Sequence, residues 1–196
     1  MKKILFTGFE PFGGERVNPS WEAVRRMPDI VGGAQIVKAQ VSVEYARSAE
    51  TIRALIAEHR PDAAVCCGQA GGRRAVTPEV CAINRDHADA PDNAGEVRRY
   101  AEIIPGGESA YFTALPAERL VDAVKAAGVA CAPSFSAGTY VCNHIYYTLL
   151  SVMPRGLFVH VPFIPEQAAG RDAPSMELAD MTRALATIAG EIAKFI

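Results

Sequence analysis

Three residues of this chain are of types that could together carry out acyl transfer: a cysteine, a histidine and an isolated acid. Cys142 stands in Ser136-Ala137-Gly138-Thr139-Tyr140-Val141-Cys142-Asn143-His144, where a helix is expected to begin. A helix N-terminus offers unpaired N–H groups and a positive dipole end, which favour a thiolate and can bind an oxyanion. The plainer alternative is one more buried cysteine in an apolar helix. A nucleophilic cysteine needs a base, and there are four histidines. His59 falls at the end of a surface helix, where it complements the dipole. His87 lies in a polar loop, and His144, two positions from Cys142, faces another side of the helix. His160 ends the apolar run Leu157-Phe158-Val159-His160-Val161, at the rim where α/β proteins build their sites. Such pairs usually have a third member that orients the imidazole. Glu79 is a lone acid in the strand-like run Val76-Thr77-Pro78-Glu79-Val80-Cys81-Ala82-Ile83-Asn84. A carboxylate buried there needs a partner, which His160 would supply; on an edge strand facing water it needs none.

Other motifs are weaker. Gly8-Phe9-Glu10-Pro11-Phe12-Gly13-Gly14 is glycine-rich but fits neither the dinucleotide nor the Walker pattern. Pro11 also removes an N–H that a phosphate cradle would use. Phe9 and Phe12 suit a small, flat, mostly apolar ligand, or simply anchor the loop as two buried rings. Arg73-Arg74 is the one basic pair that suggests a phosphate site, and it reads better as a solvated turn. Nucleoside phosphorolysis on a related scaffold therefore lacks its phosphate site.

The elements that must position these groups alternate along the 196 residues. Strands are expected near residues 3–9, 36–43, 62–68, 130–136 and 157–161. Helices are expected from Asn18-Pro19-Ser20, with Asn or Ser as cap, and over the four-three-four spacing of Tyr45, Ala49, Ile52 and Ile56. Further helices are expected at 116–128, between Pro and Gly punctuation, at 139–152, and along Leu178, Met181, Leu185, Ile188 and Ile192. Apolar strands flanked by helices imply an α/β fold: a single three-layer α/β/α domain, residues 1–196, with a mostly parallel central sheet. Ligands then bind at the carboxyl ends of its strands, near the loops after Phe9, Gly68 and Val161. Residues 84–111 are polar and rich in Pro and Gly, and a loop that long is a lid, a binding loop or a subunit contact.

Composition excludes several classes. Hydrophobic residues make up 49% and charged residues 21%, which rules out a disordered chain. A net charge of −2 gives no electrostatic pull on nucleic acid. No run approaches the roughly 20 apolar residues of a membrane span, and the apolar run after Lys3 is too short for a signal peptide. Five cysteines, an odd number, and no Cys-x-x-Cys argue against a disulfide framework or structural zinc. The expectation is a cytoplasmic protein with no metal, no cofactor, no nucleic-acid partner and no membrane partner.

Several stretches taken together resemble the type I pyroglutamyl peptidases (pyrrolidone-carboxylate peptidases). They are Thr7 to Gly14, Asn18-Pro19-Ser20-Trp21, Gly68-Gln69-Ala70-Gly71-Gly72-Arg73, Thr77-Pro78-Glu79, Ala82-Ile83-Asn84 and Pro91-Asp92-Asn93 with Gly95. Ser136 to His144 and His160-Val161-Pro162-Phe163-Ile164-Pro165-Glu166-Gln167 complete the set, in family order across nearly the whole chain. The resemblance implies a cysteine exopeptidase for peptides with N-terminal pyroglutamate, and a homo-oligomer, commonly a tetramer. It places the nucleophile at Cys142, the base at His160 and the orienting acid at Glu79. It also places the lactam pocket at Phe9, Phe12, Gly68, Gln69, Tyr140 and Val141. Two departures stand out. Asp89 replaces an arginine usual in the active-site surroundings, and Val80 replaces one that usually follows the glutamate. A reversed charge near a developing oxyanion would weaken catalysis, so the alternative is a weakened or retargeted pyroglutamyl-binding homologue.

Overall fold

A computed structural model describes residues 1–196. In chain order the elements are β1 (Lys3–Phe9), α1 (Pro19–Arg25), β2 (Ile30–Val31), β3 (Ala34–Val41), α2 (Tyr45–His59) and β4 (Ala63–Gln69). Then come β5 (Thr77–Glu79), β6 (Cys81–Ile83), β7 (Ala110–Phe112), α3 (Ala117–Ala126), α4 (Val141–Val152), β8 (Gly156–Val161), α5 (Pro165–Ala168) and α6 (Leu178–Phe195).

The main sheet has the order β2-β3-β1-β4-β8-β5. β3, β1, β4 and β8 run parallel, and β2 and β5 close the edges antiparallel. β1, β4 and β8 are buried almost throughout, as strands covered on both faces must be. Alternate residues feed two cores. Ile4, Phe6, Val65, Leu157 and Val159 pack against Ala23 and Val24 of α1, Leu120 and Val124 of α3, and Leu185 and Ile188 of α6. Leu5, Cys66 and Phe158 pack against Tyr45 and Ile52 of α2 and Ile145, Tyr146 and Leu149 of α4. The result is the expected three-layer α/β/α arrangement with a mostly parallel sheet. No helix is long and apolar enough to cross a membrane.

Two expectations need correction. Residues 130–136 form no strand; they touch β5 and its approach only through the bridges Val76–Cys131 and Glu79–Ser134. The hydrogen bonds between the two segments run from Val76 N–H to Ala130, Ala132 N–H to Val76, Ser134 N–H to Pro78 and Val80 N–H to Ser134, and the rung missing from this ladder is the one that Pro78, having no N–H, cannot donate to the Ala132 carbonyl. The strand-like run 76–84 is two strands in two sheets: β5 joins the main sheet, and β6 pairs with β7 in a separate ribbon. Residues 84–111 stay largely irregular up to β7. They are tied to the entry of α4 by His87 N–H to the Thr139 carbonyl (2.9 Å) and by the Tyr140 hydroxyl to the Pro91 carbonyl (2.9 Å).

Candidate active site

His160 lies in β8 next to the sheet edge, and β5 brings Glu79 to it. The antiparallel register sets Thr77 opposite His160 and Glu79 opposite Phe158. Residues two apart share a face of a strand, so Glu79 is the diagonal neighbour of His160. Glu79 Oε1 lies 2.7 Å from His160 Nδ1. Glu79 is fully buried, which disposes of the water-facing reading. The Tyr146 hydroxyl donates to the Glu79 backbone carbonyl at 2.8 Å and steadies the strand from α4.

Glu79 Oε1 also accepts from Arg73 Nη1 at 2.7 Å. Arg73 further contacts Thr77 Oγ1 and the Ser136 carbonyl. The solvated-turn expectation for Arg73 is thus overturned: a fully buried carboxylate draws in the nearest guanidinium, because an unpaired charge there would be costly. An oxygen that already accepts from Arg73 accepts from His160 as well, so Nδ1 carries the proton and Nε2 keeps its lone pair.

Cys142 is the second residue of α4. On the sheet below, Gly68 pairs with His160 across β4 and β8. A Cβ on Gly68 would stand 3.1 Å from Cys142 Sγ and 2.7 Å from Phe158 Cζ. Only glycine leaves room for the sulfur beside the imidazole's strand position. Gly68→Ala is therefore expected to displace the thiol, cutting kcat at least about tenfold and destabilising the fold by roughly 1–3 kcal/mol. Single-turnover rates and a melting curve read both effects; unchanged values for both would contradict this packing.

Burial works against the thiolate that the helix entry favours. Burial, followed by the nearby Glu79 charge, pushes the Cys142 thiol up to about 12, against opposing help from Arg73 and from its own N–H. The helix dipole is too weak to offset this desolvation. Burial also lowers His160 below its ordinary value of 6.5; Glu79 opposes that shift and Arg73 adds to it. Both shifts favour the neutral thiol and the neutral imidazole, so the proton moves during the reaction.

The residues implied for the lactam pocket are brought to one region, in different ways. Tyr140 is the N-cap of α4, and its ring lies 6.4 Å from that of Phe12, centroid to centroid. Phe9 is a core residue, 6.4 Å from Phe158, which in turn lies tilted against the His160 ring at 4.7 Å. Val141 is buried in the core, so only its backbone can meet a ligand. The N–H groups of Val141, Cys142 and Asn143 donate to no backbone carbonyl. The Gln69 side chain is already engaged, its Oε1 accepting from Gln167 Nε2 at 2.9 Å. Gln167 is buried and was not singled out as a site residue; its place at the end of the motif that starts at His160 was the one signal, since burial is invisible in sequence. None of the molecule's surface cavities is lined by Cys142, His160 or Glu79.

Asp89 and Val80 have other surroundings. The Asp89 side chain is 85% exposed and pairs with Arg99 Nη2 at 2.9 Å. Val80 lines a surface groove with Leu115 and Phe135. Asp89→Arg is expected to change kcat/KM by less than about threefold, because a solvated charge is well screened. A gain of tenfold or more in a direct assay would show the loop reaching the reacting centre.

Fold and site together define a class: an α/β/α protein with a cysteine at a helix N-terminus and a histidine–carboxylate pair at the adjoining sheet edge. The pyroglutamyl peptidase family model matches residues 2–194. The chain belongs to this family of cysteine exopeptidases, hydrolases that remove N-terminal pyroglutamate. It is 47% identical to the pyrrolidone-carboxylate peptidase of Bacillus amyloliquefaciens over 191 residues, covering 94% of this chain and 89% of that one. It is 46% identical to that of Thermosipho africanus, covering 93% of each. Among solved structures, the pyroglutamyl peptidase I of B. amyloliquefaciens superposes with a TM-score of 0.95 at 46% identity, covering 98% of this chain and 95% of that one. The pyrrolidone carboxyl peptidase of Fervidobacterium islandicum does so with 0.94 at 35%, covering all of both.

Proposed function

We propose that Cys142 is the nucleophile, His160 the general base and acid, and Glu79 the group that orients and supports the imidazole. The observation that carries this is the Arg73–Glu79–His160 chain, built on a fully buried carboxylate, with the Cys142 sulfur packed over Gly68, the residue paired with His160 across β4 and β8. The Cys142 sulfur attacks the carbonyl joining the pyroglutamyl ring to the next residue, and its proton passes to His160 Nε2. Unpaired N–H groups at the start of α4 stabilise the oxyanion. His160 then protonates the leaving amine, and a thioester remains on Cys142. Water, deprotonated by His160, hydrolyses the thioester and frees pyroglutamate.

Specificity follows from the ring's chemistry. It is flat, small and neutral, and Phe12 and Tyr140 offer aromatic surface to it, with Phe9 backing the wall from the core. Backbone groups near Gly68, Gln69 and Val141 take the lactam N–H and C=O. An ordinary N-terminus carries a charged amine, which a dry pocket rejects. The test is release of a fluorogenic amine from pyroglutamyl amide against prolyl amide, which has the same ring size but is charged. A preference of at least about 10³ is expected, abolished by iodoacetamide with Cys142 as the alkylated residue. Equal turnover of both amides would overturn the pocket assignment.

We further infer a homotetramer acting in the cytoplasm. Family resemblance supports the assembly, as do the exposed rings of Phe112 and Phe135, and the five unpaired thiols fit a reducing compartment. Sedimentation equilibrium tests the assembly.

A further inference from the structure

A second buried charge cluster lies on the other side of the α4 entry. Asp86 is fully buried, and its Oδ2 lies 2.8 Å from His144 Nδ1 and 3.0 Å from Arg98 Nη1. The Arg98 guanidinium also sits 4.7 Å over the centre of the Tyr45 ring. Tyr45 is fully buried, yet its hydroxyl has no partner. Its ring is therefore located by what touches its faces and edges rather than by a hydrogen bond. Those contacts are Arg98, the His144 ring at 5.5 Å and the Tyr140 ring at 5.7 Å, edge to face. Tyr140 in turn meets Phe12.

We propose that Arg98 is a positioning residue for the pyroglutamyl pocket: it neutralises Asp86 and clamps Tyr45 so that Tyr45 backs the Tyr140 wall. The proposal rests on the assignment of Tyr140 to that pocket. Arginine suits the position because its planar group can pair with a carboxylate while stacking on a ring, which an ammonium does less well. Segment 84–111 thereby contributes to the site through Arg98 and the Pro91 carbonyl that holds the Tyr140 hydroxyl. Arg98 itself is kept in place by Glu96, whose Oε1 accepts from its Nε at 2.6 Å.

The neighbouring Arg99 is the control, since it is exposed and pairs only with Asp89. Arg98→Met is expected to raise KM for the pyroglutamyl amide about 5- to 10-fold with kcat within about twofold. Protection of Cys142 from iodoacetamide by 2-pyrrolidone should weaken by the same factor, while the unprotected alkylation rate stays at the wild-type value. Arg99→Met should leave all three unchanged. Arg98→Lys keeps a charge near Asp86 and loses the stack, so its KM should fall between wild type and Arg98→Met. KM in Arg98→Met equal to that in Arg99→Met, or a fall in kcat at constant KM, would overturn the proposal. If Arg98→Met does not fold, a wild-type KM in Arg98→Lys overturns it instead. No turnover by wild type would remove the pocket assignment, and this proposal with it. Wild-type turnover with unmoved KM in the variants removes this proposal alone.

Discussion

Cys142→Ser is expected to lower kcat for a pyroglutamyl amide by at least roughly 10⁴ while KM stays within about threefold. The hydroxyl occupies the place of the sulfur, so binding surfaces and fold persist. Its oxygen is far harder to deprotonate than a thiol, and the neutral His160 beside it is a weak base. The thiol itself, held up to about 12 by burial, already needs that base at the moment of attack. Pre-steady-state kinetics provide the check: wild type shows acyl-enzyme formation, and the serine variant shows none. Retained turnover in Cys142→Ser would mean that another group attacks the carbonyl.

Glu79→Gln is expected to cost roughly 10³–10⁴ in kcat, because the carboxylate both selects the Nδ1–H tautomer and stabilises the imidazolium formed during attack. The pH profile separates this role from simple loss of structure. kcat/KM should have an acidic limb set by His160, with its midpoint below 6.5 because burial lowers that group. Activity needs the neutral imidazole, so it falls as pH drops through this midpoint. Glu79 opposes the lowering, so Glu79→Gln should move the limb further toward acid. Arg73 adds to the lowering, so Arg73→Met should move it toward neutral. Arg73→Met also leaves Glu79 buried without its cation, costing about 3–5 kcal/mol of stability. Limbs that move in the same direction for both variants would contradict the chain of contacts proposed here.

The layers of the fold were legible in the residues. The charge-free run before Val161, the glycine after Val65-Cys66-Cys67 and the three-four spacing in α2 and α6 are local signals, and each became the expected element. The edges were not legible. β5 has three residues, and its direction depends on the antiparallel partner β8, some eighty positions away. Short edge strands carry too little periodicity to announce themselves, and Pro78 on β5 leaves out the rung that would have made 130–136 a strand beside it.

The same division holds for the site. Cys142, His160 and Glu79 could be singled out by type: a cysteine at a helix entry, a histidine closing an apolar strand, an acid without a nearby base. Family motifs added the pocket residues. Only the tertiary structure decided how these groups behave. Register made Glu79 the diagonal neighbour of His160. Complete burial of that carboxylate turned Arg73 from a solvated turn residue into its cation. Exposure left the Asp89 charge solvated and paired with Arg99, and the same segment placed Arg98 over Tyr45. Desolvation pushes the thiol up and the imidazole down, each toward its neutral form. Residue types and local spacing determine which groups are available and which elements carry them. Burial and charge pairing depend on distant segments meeting, so protonation states and partners emerge only once the chain is packed.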